Sequence, residues 1–148
     1  MNRQPLLVLP RLDAERLNPG PAWACISITN PQQKPAVLDG GAHILRLGFY
    51  DAEHDTANFP AMTPAQASEV LMFVAKHAQR PLLVHCEQGK SRSVAVGLFL
   101  EGWLRRRMEC DTSMANRLVL QRMFTAGLLY SAQHLQLRRL AYCAGFPV

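Results

Sequence analysis

Cys86 and Arg92 stand near the two ends of a short polar run, His85-Cys86-Glu87-Gln88-Gly89-Lys90-Ser91-Arg92-Ser93. The run follows the continuous apolar segment Leu82-Leu83-Val84 and precedes the apolar segment that starts at Val94. Between a strand and a helix N-terminus, such a loop can turn its backbone N–H groups inward. With the helix dipole behind them they bind an anion. Gly89 lets the backbone turn where a side chain would obstruct it. Arg92 offers a planar fork of donors suited to two phosphate oxygens. Cys86, at the start of the loop, sits in the same positive field, which stabilises its thiolate and lowers its pKa below the free value of about 8.5. A thiolate facing a bound phosphate beside an arginine is equipped to attack phosphorus.

The elements that must position this loop are legible on either side of it. Leu82–His85 reads as a central strand buried on both faces. The helix after it, from about Arg92 through VAVGLFLEGWLRRR, is apolar nearly all round in its first turns, as a buried helix is. Upstream, Leu6–Leu9, Trp23–Thr29 and Ala42–Phe49 read as strands, with a loop over 30–41 and a polar, aperiodic loop over 50–62. Thr63, Pro64 and Gln66 form a helix start with a capping box. Ala67, Val70, Leu71, Val74 and Ala78 follow at helical spacing, and the helix should end before Pro81. Two further helices are expected. One starts near Thr112 with Leu120, Met123 and Phe124 inward; the other starts near Ser131 with Leu137, Leu140, Ala141 and Ala144 inward. The expected fold class is α/β: a small, mostly parallel, twisted sheet with helices on both faces, in one domain over 1–148.

The 148 residues carry a formal charge of +5 and are 49% hydrophobic. That composition suits a globular chain and argues against disorder. The positive balance favours anionic partners without choosing among them. Arg105-Arg106-Arg107 and Arg138-Arg139 read as solvated helix ends. The four cysteines, Cys25, Cys86, Cys110 and Cys143, include no CxxC pair. A zinc site and a secreted disulfide framework are therefore both poorly supported. Leu6–Leu9 is too short for a signal-peptide core, and no apolar run is long enough to span a membrane. The expectation is a reducing, cytoplasmic setting with no DNA partner and no membrane insertion. Gly89-Lys90-Ser91 is not part of a nucleotide P-loop, because the first glycine of GxxxxGK[S/T] would fall on Val84.

The segment His85–Ser93 matches every defining position of HCxxGxxR[S/T], the signature of the protein tyrosine phosphatases. The short chain and the GKSRS ending resemble the dual-specificity branch. A looser likeness runs from the first strand to about Leu104; the segment after it carries no motif. The resemblance implies a cysteine-dependent phosphatase with no metal and no cofactor. Cys86 would form a phosphocysteine, and Arg92 would bind the phosphoryl oxygens. Ser93 would hydrogen-bond the thiolate and help it leave. His85 would order the loop. Backbone N–H groups of Glu87, Gln88, Gly89, Lys90, Ser91 and Arg92 would hold the phosphate, and inorganic phosphate or sulfate would occupy the same place. The substrate would be a phosphorylated protein, at phosphotyrosine or at phosphoserine and phosphothreonine, or another phosphomonoester.

The family also needs a general acid upstream of the signature, because an alkoxide or phenolate leaves poorly without a proton. The 50–62 loop supplies Asp51, Glu53 and Asp55. Asp51 is favoured because it directly follows the third strand, as the acid does in related small phosphatases. Asp55 is its rival, and Glu53 remains a third choice. His54 reads as a surface residue. Lys90 reads as a solvated charge, or as extra attraction for a multiply phosphorylated ligand. Cys25, Cys110 and Cys143 read as core or surface thiols. No insertion that would deepen the pocket for phosphotyrosine is evident. Three alternatives stay open: a phosphoinositide or RNA 5′-phosphatase with the same chemistry, a phosphate-binding module without turnover, and a sulfurtransferase, which the flanks of Cys86 fit poorly.

Overall fold

The computed structural model describes residues 4–145. In chain order the elements are β1 (Leu6–Pro10), α1 (Arg11–Leu17), β2 (Ala24–Thr29), β3 (His43–Gly48), α2 (Pro64–Lys76), β4 (Leu82–Cys86), α3 (Arg92–Leu104) and α4 (Arg117–Cys143). The strands form one four-stranded sheet in the order β1-β4-β2-β3. Every pairing is parallel, so the mostly parallel sheet expected from the sequence is wholly parallel. Leu82 is level with Leu6 on one side and Ala24 on the other, and Ala24 is level with His43. The C-terminal ends of the strands therefore lie along one edge, where ligands bind in open α/β sheets.

Both faces of the sheet are covered, which is why β4 has no polar face to show. Leu82 and Val84 point into a core shared with Ile26, Ile28, Val70, Leu71, Val96 and Leu100. Leu83 and Cys25 point the other way, into a smaller core with Ala14, Ala36 and Leu38. The larger core lies under α2, α3 and α4, and the smaller one under α1 and the 36–38 loop. Each fully buried Leu, Ile or Val contributes roughly 1.5–3 kcal/mol.

α2 starts as its sequence demands. Thr63 Oγ1 accepts from the Gln66 N–H at 3.1 Å, and Gln66 Oε1 accepts from the Thr63 N–H at 2.9 Å. α1 has no counterpart in the sequence reading. It is seven residues long with one buried residue, Ala14, too short for helical periodicity to register.

The C-terminal region departs from expectation. A single helix, α4, replaces the pair starting near Thr112 and Ser131; Asn116 caps it through a 2.9 Å bond from the Val119 N–H. Nothing between the two apolar stretches breaks a helix. Gly127 is accommodated because a Cβ there would come within 2.8 Å of the Phe99 ring, so it marks the close crossing of α3 and α4. Met123 is buried and Leu120 partly so, but Phe124, Leu137, Leu140 and Ala144 are exposed and Ala141 is only half-buried. Every residue from Ser131 to Leu140 is exposed, because the helix runs on past the body it packs against.

The arginine cluster also differs from a solvated helix end. Arg105 takes the left-handed conformation that stops α3. Arg106 turns inward, is buried, and donates to the carbonyls of Arg80 and Ala78. Among the described residues, no helix is long and apolar enough to cross a membrane.

Candidate active site

The loop from Cys86 to Ser91 joins β4 to α3 and rests on the end of β1. The Arg11 N–H donates to the Glu87 carbonyl at 3.1 Å. Gly89 has φ +67°, and a Cβ on it would meet the Pro10 nitrogen at 2.5 Å and the Leu9 carbonyl carbon at 2.7 Å. Both the dihedral and the contact demand glycine. Ser91, at the N-cap of α3, makes no side-chain cap bond. Its hydroxyl donates instead to Asp51 Oδ1 at 2.7 Å. No capping side chain therefore competes for the first-turn N–H groups that give a helix N-terminus its affinity for anions.

Cys86 is buried, with Sγ 3.0 Å from the Ser93 hydroxyl. Burial pushes its thiol up. The Ser93 hydroxyl, the backbone N–H groups of Ser93 and Gly89, and the Arg92 charge outweigh that and bring the pKa below the ordinary thiol value. All these groups act on the charged form, so they favour thiolate.

His85 has no exposure to solvent. Its Nδ1 lies 3.3 Å from the Cys86 carbonyl oxygen, and its Nε2 lies 2.7 Å from Ser27 Oγ. A carbonyl only accepts, so Nδ1 carries the proton and Nε2 accepts from Ser27. Burial holds the ring below its usual pKa, which keeps it neutral and this tautomer intact. Arg92 is buried too. One terminal nitrogen donates to Asn30 Oδ1 at 2.9 Å and to the Phe49 carbonyl at 2.8 Å. These bonds fix the guanidinium to the ends of β2 and β3. Its Nε is buried with no partner among the described residues, an uncommon state for a buried donor.

Cys86 and Arg92 open onto a cavity of about 630 Å³, which Asp51, Glu53, Glu87, Gln88, Lys90 and Ser91 also line. Of the candidate acids, Asp51 and Glu53 line it, whereas Asp55 is held outward by a 2.6 Å ion pair with Arg122. Asp51 Oδ1 accepts from Ser91 and, at 2.7 Å, from Asn116 Nδ2. Glu87 Oε2 accepts from Gln33 at 2.9 Å and lies 3.8 Å from Arg11. Lys90 is exposed. His54 lines the cavity from an exposed position. Tyr50, Phe59 and Met114 supply its apolar wall. Among the described residues, no cluster of His, Cys, Asp and Glu is suited to a metal ion. All four cysteines are free, with Cys25 buried and Cys143 exposed.

Sequence reasoning missed Ser27, Asn30 and Asn116. Ser27 carries no local signal, because its partner His85 is brought to it by strand pairing. Asn30 stands before Pro31 and reads only as a strand end. Asn116 could have been found as an N-cap ahead of Leu118-Val119-Leu120.

No family model and no curated protein matches the chain. Among solved structures, the crystal structure of a variant of human DUSP28 is similar over 82% of this chain and 76% of that one, with 20% sequence identity and a TM-score of 0.39.

Proposed function

We propose that this chain is a cysteine-dependent phosphatase that hydrolyses phosphomonoesters on proteins, at phosphotyrosine and at phosphoserine or phosphothreonine. One observation carries the reading. Cys86 lines a cavity, with the Ser93 hydroxyl, the Gly89 and Ser93 N–H groups and the Arg92 charge all favouring its thiolate.

In the first step the Cys86 thiolate attacks phosphorus. The bond from phosphorus to the leaving oxygen breaks, and Asp51 gives that oxygen its proton. In the second step water attacks the phosphocysteine and the S–P bond breaks. The Asp51 carboxylate takes the water's proton, and Ser93 hydrogen-bonds the departing thiolate. Arg92 and the loop N–H groups bear the phosphoryl charge throughout. Catalysis rests on positioning and electrostatics, with no metal or organic cofactor required. Residues 1–148 serve as one phosphatase domain, in a reducing, cytoplasmic setting that spares a reactive thiolate from oxidation.

The cavity mouth favours a protein substrate over an inositol lipid or an RNA 5′ end. Glu53 and Glu87 line the cavity beside Lys90, so a polyanion would meet carboxylates there as well as the lysine. The test is a panel of phosphotyrosine and phosphoserine peptides, inositol phospholipids and 5′-phosphorylated RNA, run beside Cys86→Ser. Turnover of the peptides by wild type is expected. The Cys86→Ser variant should bind inorganic phosphate without turning over. Substantial turnover in a clean Cys86→Ser preparation would sink the mechanism, and strong preference for a non-protein substrate would replace the substrate class.

A further inference from the structure

We propose that Asn116, the N-cap of α4, is a positioning residue that aims Asp51 at the leaving group and leaves Asp51 Oδ2 to carry the acidic proton. This rests on the reading of Asp51 as the proton donor.

Asn116 is 1% exposed and joins three parts of the site. Its Oδ1 accepts from the Val119 N–H at 2.9 Å, which fixes the amide at the start of α4. Its backbone N–H donates to the Ser91 carbonyl at 3.2 Å, which fixes it to the end of the phosphate loop. Its side-chain nitrogen donates to Asp51 Oδ1 at 2.7 Å and to the Ala52 carbonyl at 3.2 Å. With the amide oxygen committed to Val119, only the donor end can face the acid loop, so the amide's orientation is determined.

Asp51 itself is exposed, on a segment with no regular structure. An exposed carboxylate on a loop would otherwise sample several rotamers. Asn116 and Ser91 both donate to the same oxygen, Oδ1. A proton on Oδ1 would compete with these two donors and weaken or displace at least one of them. Oδ2 has no partner among the described residues, and Asp51 lines the cavity that Cys86 and Arg92 share. A protonated Asp51 held this way has one oxygen anchored and one free, and the free one bears the proton. A bare cap would require only the Val119 bond; the amide nitrogen's bonds to Asp51 and Ala52 are additional.

The test is Asn116→Ser, which keeps a side-chain oxygen able to cap α4 and removes the amide donor. Asn116→Asp serves as a second variant that also caps but sets an acceptor against Asp51. Hydrolysis is measured on phenyl phosphate, whose phenolate leaves poorly, and on dinitrophenyl phosphate, whose leaving group needs little protonation. Each variant is made in wild type and in Asp51→Asn, and inorganic phosphate binding is followed alongside. In Asn116→Ser, kcat/KM, which reads only as far as departure of the leaving group, should fall about 10- to 100-fold on phenyl phosphate, the size of one lost hydrogen bond to a charged or proton-bearing group. On dinitrophenyl phosphate it should fall by less than about threefold, because that substrate draws little on the acid. Phosphate binding should hold, and Asn116→Ser should add nothing in the Asp51→Asn background. Equal loss on both substrates, no loss on phenyl phosphate, or full loss in the Asp51→Asn background overturns the inference. If Asp51→Asn itself leaves phenyl phosphate hydrolysis unchanged, the acid assignment fails, and the inference with it.

Discussion

The Ser93 hydroxyl, on the second residue of the helix that follows the loop, lies 3.0 Å from the Cys86 sulfur. It is among the groups that pull the Cys86 thiol below its ordinary value against the cost of burial. Thiolate is the reactive form, so alkylation by iodoacetamide and the acid limb of kcat/KM should both rise at lower pH than for a free thiol. Ser93→Ala removes a stabiliser of the charged form and should move both limbs to higher pH. In that variant the second chemical step should slow, and phosphocysteine should accumulate in rapid-quench samples. A limb that stays in place in Ser93→Ala would contradict the assignment. The stability linkage has the same sign. A depressed thiol value contributes stability above the unfolded thiol pKa, and that contribution is lost as pH falls through the folded value.

Cys25 should behave in the opposite way. It lies on the α1 side of the sheet, and burial pushes its thiol up to about 12. Mass spectrometry after brief alkylation of native protein should find Cys86 and the exposed Cys143 modified and Cys25 untouched, with inorganic phosphate protecting Cys86 alone. The unfolded chain releases the Cys25 proton near 8.5, whereas the native chain keeps it to about 12. This group's contribution to stability is therefore full below the unfolded value and declines across that interval. Cys25→Ala should flatten the alkaline fall in denaturant midpoints.

Gly89→Ala should be costly although it adds one carbon. The positive φ and the contacts with the Pro10 nitrogen and Leu9 carbonyl carbon are both backbone constraints, and backbone cannot step aside as a flexible side chain does. A loss of roughly 1–3 kcal/mol is expected, together with weaker phosphate binding as the loop lifts from β1. Thermal melting and phosphate titration would show it, and an unchanged variant would mean that the loop is not held as described.

Along α4 the cost of truncation should depend on position more than on residue type. Met123 is fully buried, and Met123→Ala should cost about 2–5 kcal/mol. Leu137 is 62% exposed, and Leu137→Ala should stay within about 0.5 kcal/mol. Urea unfolding of the two variants side by side would check the contrast.

The parts of the site legible in the sequence are those held by local geometry. A continuous apolar strand, a short polar loop and an apolar helix fix the order in which Cys86, Gly89, Arg92 and Ser93 appear, and α2 announced itself through Thr63 and Gln66. Ser27, Asn30 and Asn116 were not legible, because strand pairing and the return of α4 bring them to their partners across long stretches of chain. The two helices expected in place of α4 show a related limit. Helical spacing identifies apolar residues that could pack, but Leu137 and Leu140 stay 62% and 60% exposed.

The parallel sheet carries a kinetic consequence. The ends of β1, β2, β3 and β4 supply Pro10 under Gly89, Asn30 and Phe49 for Arg92, Asp51 for the cavity, and Cys86 itself. A folding chain that has formed only β4, the loop and α3 holds the signature residues in sequence yet lacks the groups that orient them. Pairing parallel strands closes long loops and is slow. During refolding, helical circular dichroism should therefore return before the proposed phosphatase activity does, and that activity should appear as one of the last events, when the edge strands β1 and β3 dock.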